Sequence, residues 1–125
     1  MDDIRVLVID DEEELVTTLV ERLAMRGLQA DWCTSGPEAL QRLEQRHYDA
    51  VVLDLKLPGI SGLELQRRIQ QAHPGVKTLL MTGQGGVEEE LARLPGGAAP
   101  DIREVLYKPV NIQVLVDKIR TAVKG

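Results

Sequence analysis

Apolar residues gather in two kinds of run along this chain. The first kind is short: residues 4–9, 28–33, 50–53, 76–81 and 105–107 read as strands, 28–33 the weaker, and the continuous Ala-Val-Val-Leu at 50–53 reads as one buried on both faces. The second kind is spaced at helical intervals. Over residues 12–26, Leu15, Val16, Leu19, Val20 and Leu23 recur at helical spacing, and Gly27 is placed to end that helix. Pro37 opens a second helix reaching about residue 46, and residues 63–71 make a third. A short fourth helix is predicted at 87–94, ended by the Pro/Gly/Ala stretch 95–100. Asn111 caps a last helix with Ile112, Leu115, Val116, Ile119 and Val123 on one stripe. The breakers of Pro58-Gly59-Ile60-Ser61-Gly62 mark a loop.

Strand and helix patterns alternate from end to end, which predicts an α/β fold: one open, doubly wound, five-stranded parallel sheet with helices on both faces. At 125 residues this is one domain, 1–125, with no internal linker or repeat. There is no Phe, so the core is built from Leu, Val, Ile and Ala. The formal charge of -5 argues against direct nucleic-acid binding, which needs basic groups facing phosphates. Cys33 is single, which suits a reducing compartment and a buried structural thiol. No basic leader precedes an apolar stretch and no run reaches membrane-spanning length, so the chain reads as cytoplasmic and not membrane-bound.

In such a sheet all strand C-termini lie along one edge, where ligands bind. The first strand is followed there by Asp10 and Asp11, the third by Asp54, the fourth by Thr82 and the fifth by Lys108 and Pro109. Three carboxylates brought together raise one another's pKa unless a cation sits between them, which makes a divalent metal the first hypothesis. Other charged residues have plainer readings. Glu13 and Glu14 suit an acidic first helical turn, Arg67 and Arg68 a solvated helix face, and His47 and His73 solvated helix ends.

The motifs VLVIDDE at 6–12, VVLDLKLPGISG at 51–62, LLMTG at 79–83 and YKP at 107–109 together resemble the receiver (REC) domain of the two-component response regulator family, over nearly the whole chain. The resemblance implies the flavodoxin-like strand order 2-1-3-4-5. It implies that Asp54 takes a phosphoryl group from a phosphohistidine on a sensor histidine kinase or a histidine phosphotransfer protein. Mg²⁺ would be held by Asp10, Asp11, Asp54 and the backbone carbonyl of Lys56, with Asp10 acting largely through water. Lys108 and Thr82 would contact phosphoryl oxygens, and a cis peptide before Pro109 would aim Lys108. The output would pass through the fourth helix, the fifth strand and the last helix to an effector domain or partner, and homodimerisation through that face is left open. Such a protein is a signalling receiver that catalyses only its own phosphorylation and dephosphorylation.

Three positions depart from the family pattern. Val105 stands where a switch aromatic is usual, and Tyr107, two residues on and on the same face, is the candidate substitute beside Thr82. The segment 94–104 is longer than expected. Lys56 lies two positions after the acceptor and Gln84 two after Thr82, places that influence hydrolysis of the phosphoryl group, and a long lysine there predicts slow autodephosphorylation. Two rival readings stand beside the receiver. One is a haloacid-dehalogenase-type phosphotransferase, disfavoured because its usual second Asp is Lys56 here and no cap segment is present. The other is an unphosphorylated receiver-like scaffold, disfavoured by the retained acids, Thr82 and Lys108.

Overall fold

A computed structural model describes residues 3–83 and 105–124. Along them the chain forms β1 (Arg5–Ile9), α1 (Glu13–Ala24), β2 (Gln29–Cys33), α2 (Gly36–Gln45), β3 (Ala50–Asp54), α3 (Gly62–Ala72), β4 (Lys77–Thr82), β5 (Val105–Tyr107) and α4 (Ile112–Lys124). The strands make one parallel sheet in the order β2-β1-β3-β4-β5. Sequence and structure agree on this architecture. The helix predicted at 87–94, the long segment 94–104 and Gln84 lie outside the described residues.

Alternation along each strand divides the core into two layers. Val6, Val8, Val52 and Met81 face Val16, Leu19 and Leu23 of α1 and Leu115, Val116 and Ile119 of α4. Leu7, Ile9, Val51, Leu53 and Leu80 face Ala39 and Leu43 of α2 and Leu63, Leu65 and Ile69 of α3. Each fully buried leucine or valine contributes about 1.5–3 kcal/mol relative to exposure. All five residues of β3 are buried, so β3 is the sheet's most protected strand.

Helix ends account for most of the differences from expectation. Gly27 adopts φ +86°, which allows the chain to leave α1 for β2. Pro37 lies inside the first turn of α2, but the cap is Ser35, whose Oγ accepts the Glu38 N–H at 3.3 Å. Ser61 caps α3 in the same way, accepting from Glu64 at 3.1 Å. Asn111 caps α4 as expected, its Oδ1 accepting the N–H groups of Gln113 and Val114 at 2.9 and 3.1 Å. Arg67 and Arg68 are solvated but both pair with Glu64. His73 corrects the solvated reading: as C-cap of α3 it is tucked against α2, 3.4 Å from Glu44, with its side chain 21% exposed. Cys33 is buried, and that burial, reinforced by Glu38, pushes its thiol up to about 12, as an inert structural residue requires.

Candidate functional site

The parallel register brings the ends of β1, β3, β4 and β5 to one edge. Asp10 stays tied to the sheet through its N–H, which donates to the Cys33 carbonyl at 3.3 Å, while its Oδ1 accepts the Glu12 N–H at 2.9 Å. Asp54 is the last residue of β3, 6% exposed, and its Oδ1 accepts the Lys56 N–H at 3.2 Å. Asp11 stands exposed next to them. One carboxylate oxygen from each of the three acids lies within 4.8 Å of the other two.

Lys108 enters this cluster from the far end of the sequence. Its backbone N–H donates to the Thr82 carbonyl at 2.8 Å, and the Lys108–Pro109 peptide is cis. Its ammonium lies 2.6 Å from Asp10 Oδ2, 3.2 Å from Asp54 Oδ2 and 3.4 Å from Glu12 Oε1. Burial pulls the Lys108 pKa down, but Asp10 and Asp54 outweigh it and hold the ammonium above its ordinary value.

The acids remain short of positive charge. Burial raises the Asp54 pKa and Asp10 adds to it, against the opposing pull of the Lys56 N–H and Lys108. Asp11 is also raised, first by desolvation and then by sharing with Asp10. Among the described residues, four carboxylates, counting Glu12, face one ammonium. Asp10 Oδ2, fully buried, has the Lys108 ammonium as its partner at 2.6 Å. Hard oxygen donors converging within 4.8 Å and excess negative charge both fit a metal ion of the Mg²⁺ or Ca²⁺ type.

The remaining predicted residues surround this cluster. Thr82 ends β4, fully buried, with its hydroxyl donating to the Gly83 carbonyl at 3.1 Å. Tyr107 pairs with Thr82 in the β4–β5 register but is 63% exposed, whereas Val105 packs on the α2/α3 side of the sheet. The Lys56 side chain is exposed, while its backbone is held beside Asp54.

Two contributors were not singled out from sequence. Glu12 reaches Lys108, and its position directly after the acid pair was the available signal. Gly62 is the other. Its N–H donates to the Leu55 carbonyl at 2.8 Å, and a Cβ there would lie 2.6 Å from Leu55 Cα and collide with the Asp54 carbonyl. Only glycine lets the chain return so close behind the Asp54 strand end.

Residues 6–120 match the protein family described as the response regulator receiver domain. The chain is 34% identical over 117 residues to the transcriptional regulatory protein TcrA of Mycobacterium tuberculosis, covering 94% of this chain and 45% of that protein. It is 30% identical over 121 residues to the response regulator MprA of a Mycobacterium species, covering 97% and 51%. The chain thus spans about half the length of the curated relatives it matches. Among solved structures, it is similar to a receiver domain of an HD domain-containing protein from Pseudomonas fluorescens, with a TM-score of 0.84, 25% identity and coverage of 98% and 96%. A response regulator receiver domain protein from Clostridium thermocellum gives 0.82 at 28% identity, covering 97% and 94%. Among the described residues no helix is long and apolar enough to cross a membrane.

Proposed function

Because this chain belongs to the response regulator receiver family of two-component signalling, we propose that Asp54 is its phosphoacceptor and that residues 1–125 form one receiver domain. The observation that carries this reading is the placement of a buried carboxylate 3.2 Å from the Lys108 ammonium and within 4.8 Å of Asp10 and Asp11. A carboxylate oxygen of Asp54 attacks the phosphorus of a phosphohistidine. The new O–P bond forms as the N–P bond breaks, and the imidazole leaves to regain a proton. Lys108 stays beside the phosphoryl oxygens, and Thr82 exchanges its bond to Gly83 for one to the phosphoryl group. Asp10, Asp11, Asp54 and the Lys56 carbonyl would hold Mg²⁺, which when bound neutralises charge on the phosphoryl oxygens. The protein is in this sense both substrate and catalyst of its own modification, with no turnover of a free substrate.

Phosphorylation adds roughly -1.5 to -2 charges at Asp54 and draws Thr82 toward it. The change reaches the surface through the β4–β5 pair, where Tyr107 lies opposite Thr82, and α4, where Val114 is exposed. An effector domain or partner reads that surface. Similarity to transcriptional regulatory proteins supports transcription as the output, carried by another segment, since this acidic domain does not suit DNA. The donor is a sensor histidine kinase or phosphotransfer protein, and the setting is cytoplasmic.

The test is incubation with Mg²⁺ and acetyl phosphate followed by intact-mass measurement. The wild type gains a single adduct of about 80 Da, the mass of one phosphoryl group, and Asp54→Ala does not. Absence of the adduct in the wild type would leave the scaffold reading standing. Multiple turnover of small phosphate esters would support the dehalogenase-type reading.

A further inference from the structure

The segment between β3 and α3 is fastened to the acceptor by its backbone. The Lys56 N–H donates to Asp54 Oδ1, the Gly62 N–H to the Leu55 carbonyl, and Lys56 and Ser61 form an isolated antiparallel bridge. Loop and carboxylate are therefore joined in one hydrogen-bonded unit. Leu55 and Leu57 anchor its first half in the core. Its second half is anchored by Ile60, which packs on the same layer and rests directly on α2.

That contact is unusually close. A Cβ on Gly36 would lie 2.5 Å from Ile60 Cγ2, yet 3.8 Å from the Leu65 methyl groups. Leu65 has room for it and Ile60 does not. Gly36 is the first residue of α2 and does not have positive φ, so its backbone alone does not demand glycine. Cγ2 sits on the branched Cβ of isoleucine, whose χ1 is stiff, so a displaced Cγ2 carries the loop backbone with it. A groove of about 460 Å³ bordered by Pro37, Leu40, Pro58 and Ile60 gives the displaced side chain space without disturbing the core.

We infer that Ile60 seated on Gly36 is a positioning contact for phosphoryl transfer, holding the segment 55–61 so that the Lys56 backbone and the Asp54 carboxylate keep their relative geometry. This rests on the reading of Asp54 as acceptor. It runs opposite to helix propensity, under which Gly36→Ala would simply strengthen α2.

Labelling by acetyl phosphate and Mg²⁺ is compared for wild type, Gly36→Ala, Ile60→Ala and the double variant, alongside amide exchange in each. Gly36→Ala slows labelling on the order of tenfold, the scale expected from a sub-ångström to ångström misplacement. It speeds exchange of the Lys56 and Gly62 amides while leaving β1 unchanged. Ile60→Ala alone also slows labelling, and the double variant labels faster than Gly36→Ala because the collision is gone. Wild-type labelling and exchange in Gly36→Ala, or a double variant slower than both singles, would overturn the inference. If the wild type itself is not labelled at Asp54, the acceptor reading falls, and the inference with it as a statement about phosphoryl transfer. Amide exchange then still decides whether the contact holds the loop.

Discussion

The two acid-bearing junctions of the site are built on opposite plans. Between β1 and α1 stand only Asp10, Asp11 and Glu12, and the helix begins without a side-chain cap. Between β3 and α3 the chain takes the longer path 55–61, with apolar anchors, a serine cap and a glycine pressed against the Asp54 strand end. The first junction concentrates negative charge where the amino end of α1 favours it. The second fixes a carboxylate in space. On the proposed reading, groups that only hold a cation tolerate a short turn, whereas a nucleophile needs a frame.

The sharpest way to break this contrast is Gly62→Ala. The added Cβ meets backbone that cannot yield, so the variant loses about 3 kcal/mol of stability, the upper part of the range for overpacking, as urea denaturation will measure. A smaller effect, of opposite sign, is expected at the carboxylate itself. The folded-state pKa of Asp54 is raised above its ordinary 3.8, so the folded protein binds more protons in that window and stability falls as pH rises through it. Without metal, Asp54→Asn is therefore more stable than wild type by a few degrees at neutral pH. That advantage disappears as pH drops below the unfolded carboxylate's pKa, as thermal melts in chelator will show. Mg²⁺ narrows the difference by stabilising the wild type alone. The smallest change concerns the exposed Lys56 side chain. The phosphorylated wild type should decay more slowly than Lys56→Asn, read as the half-life of the acyl phosphate adduct.

The acid pair of the first junction was legible in the sequence, and the second junction only in part. Asp10, Asp11, Asp54, Thr82 and Lys108 could be gathered by reasoning alone, because in a parallel sheet every strand end falls on one edge whatever the exact bounds. The bounds themselves were short: β3 runs through Asp54 and β4 through Thr82. Pro37 and the loop breakers place both helix starts one residue late, which hides the caps Ser35 and Ser61. Gly36 and Gly62 are harder cases. What makes them necessary is the approach of segments far apart in sequence, and nothing local to a glycine announces its neighbour. Glu12 was hidden for the same reason, since its partner Lys108 lies at the other end of the chain.

That span carries a consequence for biosynthesis. Lys108 pairs with Glu12 across 96 residues and with Asp54 across 54. A chain emerging from the ribosome presents all of its clustered acids before the lysine that balances them has been made. Until β5 is laid down, the acidic edge has neither its own ammonium nor the strand that carries it. The charge balance of this edge is therefore completed only late in synthesis, after the first four strands have been made.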